Sequence, residues 1–287
     1  MSLPELSLNQ ATTRPYALPE TAAALVESGI GWIGLWVDPI QELGVGPTRA
    51  LLAESGLSVS SLCRVGFVAD KQGADLRTAL DDTRRALELA HELGALQLTF
   101  MAGALPAWDR DLRAAEHRVR DALEKLAPEA QSAGVRLALE PLHPLFVNSR
   151  SAVTTVAQAL RVIEPLPHDA VGLLVDAYAV SWDSELRTSL QAAGPRIAGF
   201  QVSDFALPLP LPENMNGRLL PGDGELDLAR LTADVVDAGY LGPVEVEVFN
   251  DAVWALPLKE IVTRTRSGFD AAVTHRLTLA QKKETGA

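Results

Sequence analysis

The sequence predicts an α/β chain folded as a single (β/α)8 barrel, and three observations carry that expectation. Eight short apolar runs alternate with longer segments, several of clear helical period, along most of the chain. Helical segments close on glycine just before the next run, at Ser28-Gly29, Leu93-Gly94, Ala133-Gly134 and Ala238-Gly239. That is the cap chemistry of αβ loops. No G-x-G-x-x-G follows the first run and no P-loop occurs, which argues against the alternative of a doubly wound nucleotide-binding sheet.

The first strand is read from LSLNQA (6–11) and the second from IGWIGLW (30–36). LSVSSLCR (57–64) gives the third and ALQLTF (95–100) the fourth. Between these two, Leu76 to Leu93 places apolar residues three and four apart and its charges on the other face, an amphipathic helix. Residues 111–133 repeat that pattern before the fifth strand, VRLALE (135–140). The sixth and seventh strands are VGLLVD (171–176) and RIAGFQVSD (196–204). A helix over 227–238 leads to the last, PVEVEVF (243–249). Nothing resembles a linker, so residues 1–287 are expected to form one domain. Within it, 205–226 would be an active-face loop and about 276–287 a C-terminal tail.

With 287 residues, 47% of them hydrophobic, the chain can bury a large core. A net charge of -12 argues against nucleic-acid and anionic-membrane partners. Cys63 is the single cysteine, which excludes an intramolecular disulfide and fits a reducing compartment. The opening MSLPELSLNQ lacks the features of a signal peptide, and no run is long and apolar enough to span a bilayer. The expectation is a soluble cytoplasmic protein.

In a (β/α)8 barrel the chemistry sits at the C-terminal ends of the strands. Glu140 ends the fifth strand and Asp176 the sixth, Gln201 lies near the end of the seventh, and Glu245 and Glu247 occupy the eighth. Residues two apart share a face, so the last pair points the same way. Taken singly, each acid could face solvent or cap the next helix, Asp176 above all. Together on one rim they would repel one another and call for a cation, most simply a divalent metal. Glu247 is the better ligand of the pair, and Glu245 would need a deeper partner such as an arginine.

The stretches LALEPLHP (137–144), VGLLVDAYAVSWD (171–183), GRLLPGDGELD (217–227) and GYLGPVEVEVF (239–249) resemble the xylose isomerase-like TIM barrels. IGLWVDP (33–39) and SLCRVGF (61–67) resemble the early strands of a bacterial subgroup described as sugar phosphate isomerases or epimerases. The resemblance implies one divalent ion, manganese or magnesium first and cobalt next, held at Glu140, Asp176, Gln201 and Glu247. It also implies that Glu140 and Glu247 are the acid/base pair. They would move a proton on and off a carbon beside a carbonyl while the metal stabilises the enediolate. Two positions depart from the pattern: Gln201 stands where the family has a histidine ligand, and Ala179 where a substrate-contacting histidine is usual. An all-oxygen set would favour magnesium, manganese or calcium over zinc.

Five further residues are candidates for substrate contact. His143 lies just past the fifth strand and could touch substrate or hydrogen-bond Glu140. Arg218 sits in the loop where the family commonly places a substrate-binding arginine, or is a solvated side chain. Arg64 could reach an anionic or hydroxylated substrate, or satisfy Glu245. Trp36 could wall a sugar face or pack in the core, and Asn9 could donate a hydrogen bond at the rim. Cys63 is most simply a buried small hydrophobe.

These readings lead to a metal-dependent isomerase or epimerase of a small sugar-like hydroxy-carbonyl compound. A dehydratase or other lyase using the same first proton abstraction is the alternative, and a non-catalytic accessory subunit is another, raised by Gln201 and Ala179. Barrels of this kind often pair, so a homodimer is possible.

Overall fold

A computed structural model describes residues 4–209 and 215–275, and over these the chain forms the expected closed barrel. Eight parallel strands follow one another in chain order and close first to last. They are β1 (Leu6–Asn9), β2 (Trp32–Trp36), β3 (Ser58–Gly66), β4 (Gln97–Met101), β5 (Arg136–Glu140), β6 (Val171–Asp176), β7 (Ile197–Val202) and β8 (Val244–Val246). The register across the closing seam pairs Ser7 with Glu245, and β7 sets Gln201 beside the same glutamate. The loop expected at 205–226 falls partly outside the described residues, and the tail at 276–287 wholly so.

Three helices follow the expected amphipathic segments: Gly73–Glu92, Leu112–Ala133 and Leu228–Asp237. Asp111 and Asp227 stand just outside the last two as N-caps, Asp111 accepting from Arg113 N and Ala114 N and Asp227 from Arg230 N. Helices at Leu18–Glu27, Val45–Ser55, Val156–Ile163, Leu186–Ala193 and Leu258–Phe269 complete the outer ring. Alternation along the strands divides the core. Leu8, Ile33, Leu35, Leu98, Phe100, Leu137, Leu139, Leu173, Val175, Phe200 and Val246 are buried in the main hydrophobic cluster. A small separate cluster of Ala138, Leu174 and Ala198 lies apart from it. The polar residues Ser7, Asn9, Ser60, Ser61, Thr99, Gln201 and Glu245 are buried as well. That polar interior foreshadows chemistry, because burying such groups is costly unless each is hydrogen-bonded.

Among the described residues, no helix is long and apolar enough to cross a membrane.

Candidate active site

The deepest part of the site is built around Glu245. Its carboxylate accepts from Asn9 Nδ2 at 2.7 Å, from Gln201 Nε2 at 2.8 Å, from Ser61 Oγ at 2.8 Å and from Ser60 Oγ. Neutral donors from three strands, β1, β3 and β7, therefore satisfy this buried carboxylate. The arginine expected as its partner is not used, since the serines of β3 reach it directly. Gly34 makes room for the arrangement: a Cβ there would lie 2.5 Å from Glu245 Oε2 and 2.8 Å from Asn9 Nδ2.

Two residues expected to meet substrate or metal are thereby engaged. Asn9, fully buried, spends its NH2 on Glu245 and its Oδ1 on Ala11 N and Trp36 Nε1, so it sits beneath the rim instead of donating at it. Gln201 commits its NH2 to Glu245 and keeps its carbonyl as an acceptor.

One turn higher, three carboxylates surround a guanidinium. Arg218 donates from Nη2 to Asp176 Oδ2 at 2.8 Å and from Nη1 to Glu247 Oε2 at 3.2 Å. It is 1% exposed, which removes the alternative of a solvated side chain. Its guanidinium lies 4.8 Å from the Tyr178 ring centre and 5.3 Å from that of Phe249. Asp176 also acts as the N-cap foreseen for it, accepting from Tyr178 N through Oδ1. Glu140 has no hydrogen-bond or ion-pair partner among the described residues, although it is buried.

The loop carrying Arg218 is held by one acid. Asp204, just past β7, exchanges two backbone hydrogen bonds with Leu219. Its carboxylate accepts from Phe205 N, Gly222 N and Leu226 N. At Gly224 a Cβ would lie 2.5 Å from both Asp204 Oδ1 and Phe205 O. The motif GRLLPGDGELD is thus a clamp that pushes Arg218 into the barrel.

Electrostatics follow from burial. Glu140 holds its proton well above the usual carboxylate range, first through burial and then through repulsion by Asp176 and Glu247, with Arg218 opposing. Asp176 is raised by burial against the pull of Arg218. Glu247 is pushed up to about 8, mainly by burial, with Arg218 again opposing. Burial also raises the Cys63 thiol, consistent with a packing residue and contrary to a nucleophile.

Glu140, Gln201, Glu247 and Arg218 line a void of about 20 Å3, room for about one water. Above it opens a cleft of about 920 Å3, large enough for a small ligand. Trp36 and Arg64 line both spaces, with Arg64 stacked 5.0 Å above the Trp36 ring. His143 instead caps the short turn Pro144–Phe146 by accepting from Leu145 N, and meets Trp182 edge to face. Arg150, which is not among the residues expected at the site, also lines both spaces. It belongs to no strand, so no positional signal marks it.

The profile of the xylose isomerase-like TIM barrels matches residues 22–270. The chain belongs to that family. Within the family, a protein from Sinorhizobium meliloti 1021 is 33% identical, with a TM-score of 0.88 covering 93% of this chain and 98% of that one. The 3-dehydroshikimate dehydratase of Pseudomonas putida is 25% identical over 249 residues, 85% of this chain but 38% of its own length. The chain therefore spans well under half of that relative. The inosose isomerase of Bacillus subtilis is 28% identical over 147 residues, half of each chain. A solved structure of the IOLI protein with a binding zinc atom shares the fold at TM-score 0.84 and 19% identity, covering 94% of this chain and 98% of that one.

Glu140, Gln201 and Glu247 line one void and Asp176 lies beside it, but as arranged the carboxylates of Asp176 and Glu247 are turned to Arg218 and not to an ion. Among the described residues, no group of three or more His, Cys, Asp and Glu side chains could hold one. The physical reason is Arg218, whose positive charge takes Asp176 Oδ2 and Glu247 Oε2 while a backbone amide takes Asp176 Oδ1.

Proposed function

We propose that this chain is an isomerase or epimerase of a small sugar-like hydroxy-carbonyl compound, with Glu140 and Glu247 exchanging a proton with its carbon. The observation that carries the reading is the pair itself: two buried carboxyls of raised proton affinity beside one void, with a guanidinium between Glu247 and Asp176. Raised affinities let one member stay protonated as acid while the other is ionised as base near neutrality.

The ionised carboxylate removes the proton from the carbon beside the carbonyl. The C–H electrons form the carbon–carbon double bond, and the carbonyl electrons move to oxygen, giving an enediolate. Arg218 supplies positive charge at that oxygen, and among the described residues its Nε keeps a buried N–H without an acceptor. The protonated partner returns a proton to the same carbon on its other face, or to the neighbouring carbon. No step is routed through manganese, magnesium or cobalt, since the guanidinium stands among the expected ligands.

A dehydratase is the second reading, favoured by the dehydratases that match 85% and 84% of this chain. In it the same carbanion expels a β-hydroxyl, which leaves as water with the acid's proton.

Incubating candidate hydroxy-carbonyl compounds in D2O with the enzyme tests both readings by NMR and mass spectrometry. Exchange at the α-carbon with retained skeleton mass indicates isomerisation, and loss of water indicates elimination. Glu247→Gln and Glu140→Gln should each lower the rate by about 100-fold or more. Full activity in either variant removes that residue from the proton transfer.

A further inference from the structure

The outer cleft and the inner void meet at a neck whose walls, Trp36, Arg64, Arg150, Met215 and Phe249, line both spaces. Two of the five are arginines, and they act on the carboxyls of the void without bonding to them: Arg64 on Glu140 and Glu247, Arg150 on Glu140. Among the described residues, no hydrogen bond or ion pair reaches the guanidinium of Arg64 or Arg150. Arg64 is ordered by aromatic faces, at 5.0 Å from the Trp36 ring centre and 5.6 Å from that of Phe67. Stacking of this kind uses the flat face of a guanidinium and leaves the N–H fork along its edge for an acceptor. Arg150 is half-buried, and its proton affinity is lowered first by burial and next by repulsion from Arg64, with Glu140 opposing.

Two mutually repelling cations at the entrance to a proton-transfer site are offset only in part, through space, by Glu140 and Glu247. Their surroundings make the placement specific. The protein carries a net charge of -12, so its overall field disfavours anions. The acids that line the cleft, Asp38, Glu42 and Asp251, belong to its outer part and do not border the inner void. Arg14 also borders only the outer cleft, stacked over Trp254. Guanidiniums with no hydrogen-bonded or ion-paired acid among the described residues are therefore concentrated at the neck, between the cleft and the Glu140–Glu247 pair.

We propose that Arg64 and Arg150 form a binding site for an anionic group of the substrate, a carboxylate or a phosphate monoester. Held at the neck, that group directs the hydroxylated carbons beside it toward Glu140 and Glu247. Arg64 offers a fork to two oxygens, and Arg150 closes from the segment after β5. The inference deepens the proton-transfer reading by naming the substrate class, and rests on that reading only for where the substrate's carbons go.

Binding without turnover tests it. Shikimate (a hydroxylated ring carboxylate), ribose 5-phosphate and uncharged myo-inositol are titrated into the full chain by calorimetry, at low and high sodium chloride. At least one of the two anions should bind, at least about tenfold more tightly than myo-inositol, and more weakly as salt rises. Binding of shikimate alone assigns a carboxylate, and binding of ribose 5-phosphate alone a phosphate. Arg64→Met and Arg150→Met should each weaken the bound anion by about tenfold or more, with Lys at either position restoring part of the loss. Thermal melts establish that the variants are folded, and the salt dependence of the unmodified protein needs no variant. The proposal is overturned if myo-inositol binds as well as the anions, if neither anion binds, or if both Met variants keep the affinity. Failure of α-proton exchange alongside intact anion binding would remove the Glu140–Glu247 reading and leave the anion site standing.

Discussion

Arg218 and Glu247 illustrate at the residue scale how one side chain changes the meaning of its neighbours. Without the guanidinium, Glu140, Asp176 and Glu247 would be three buried acids in want of a cation. With it, the local charge is largely balanced, and in the proposed mechanism Glu140 and Glu247 remain as proton carriers. Arg218→Met should strand Asp176 and Glu247 and cost about 3–5 kcal/mol of stability. It should also open the oxygen set to metal: added manganese would raise the melting temperature of the variant and leave the parent unchanged, and equal shifts in both would contradict the role given to Arg218. The acid/base pair makes a second prediction. The productive form carries one proton on the pair, so the rate falls at low pH when both are protonated and at high pH when both are bare. Because Glu247 is pushed up to about 8, one limb of a profile of kcat/KM should lie close to that pH. A limb in the ordinary carboxylate range would show that the shift is not felt by the reaction. The acids themselves were legible in the sequence because strand ends are marked by alternation. The identity of their counter-charge was not, because a loop residue carries no register, and burial distinguishes a solvated arginine from an ion-paired one.

Single elements do much of the positioning. Strand β8 contributes Glu245 and then, one residue past its end, Glu247, and the period of two sends both inward as VEVEVF implies. What the strand could not reveal is who answers Glu245: Ser60 and Ser61 lie 185 and 184 residues away along the chain. Those pairings come from barrel closure and the bulge between β2 and β3, neither of which leaves a local pattern. The stretch from Asp204 to Leu226 shows the opposite case, where a compact motif encodes its own geometry through glycines and an acceptor. Gly224→Ala should push against Asp204 and loosen Arg218, lowering stability by about 1–3 kcal/mol through the strained contact. Proton exchange should fall further than the fold does, and unchanged kinetics at reduced stability would separate the clamp from the chemistry.

Across the whole molecule the barrel was readable because its period, caps and missing nucleotide motifs agreed with one another. Convergence of polar residues from β5 to β8 followed from that topology, whereas the neck formed by Arg64 and Arg150 required the closed structure. The buried acids also leave a mark on global stability. A carboxyl whose affinity for a proton is higher when folded contributes stability that is fully present below its unfolded pKa and lost as pH rises through its folded one. For Glu247 that window runs from the ordinary 4.5 to about 8. Glu140 and Asp176 shift in the same direction. Melting temperature should therefore decline from mildly acidic to mildly alkaline pH, and Glu247→Gln should flatten the decline. Parallel curves for parent and variant would assign the slope to other groups.

The clamp at Asp204 has a consequence for how such a site can change over time. The acids are rooted in the staves, where any shift disturbs neighbours on both sides, but the guanidinium arrives on a detachable arm. In the proposed mechanism, rewriting that arm would remove the positive group from the site while Glu140 and Glu247 stay in place, so the two halves of the chemistry can vary independently.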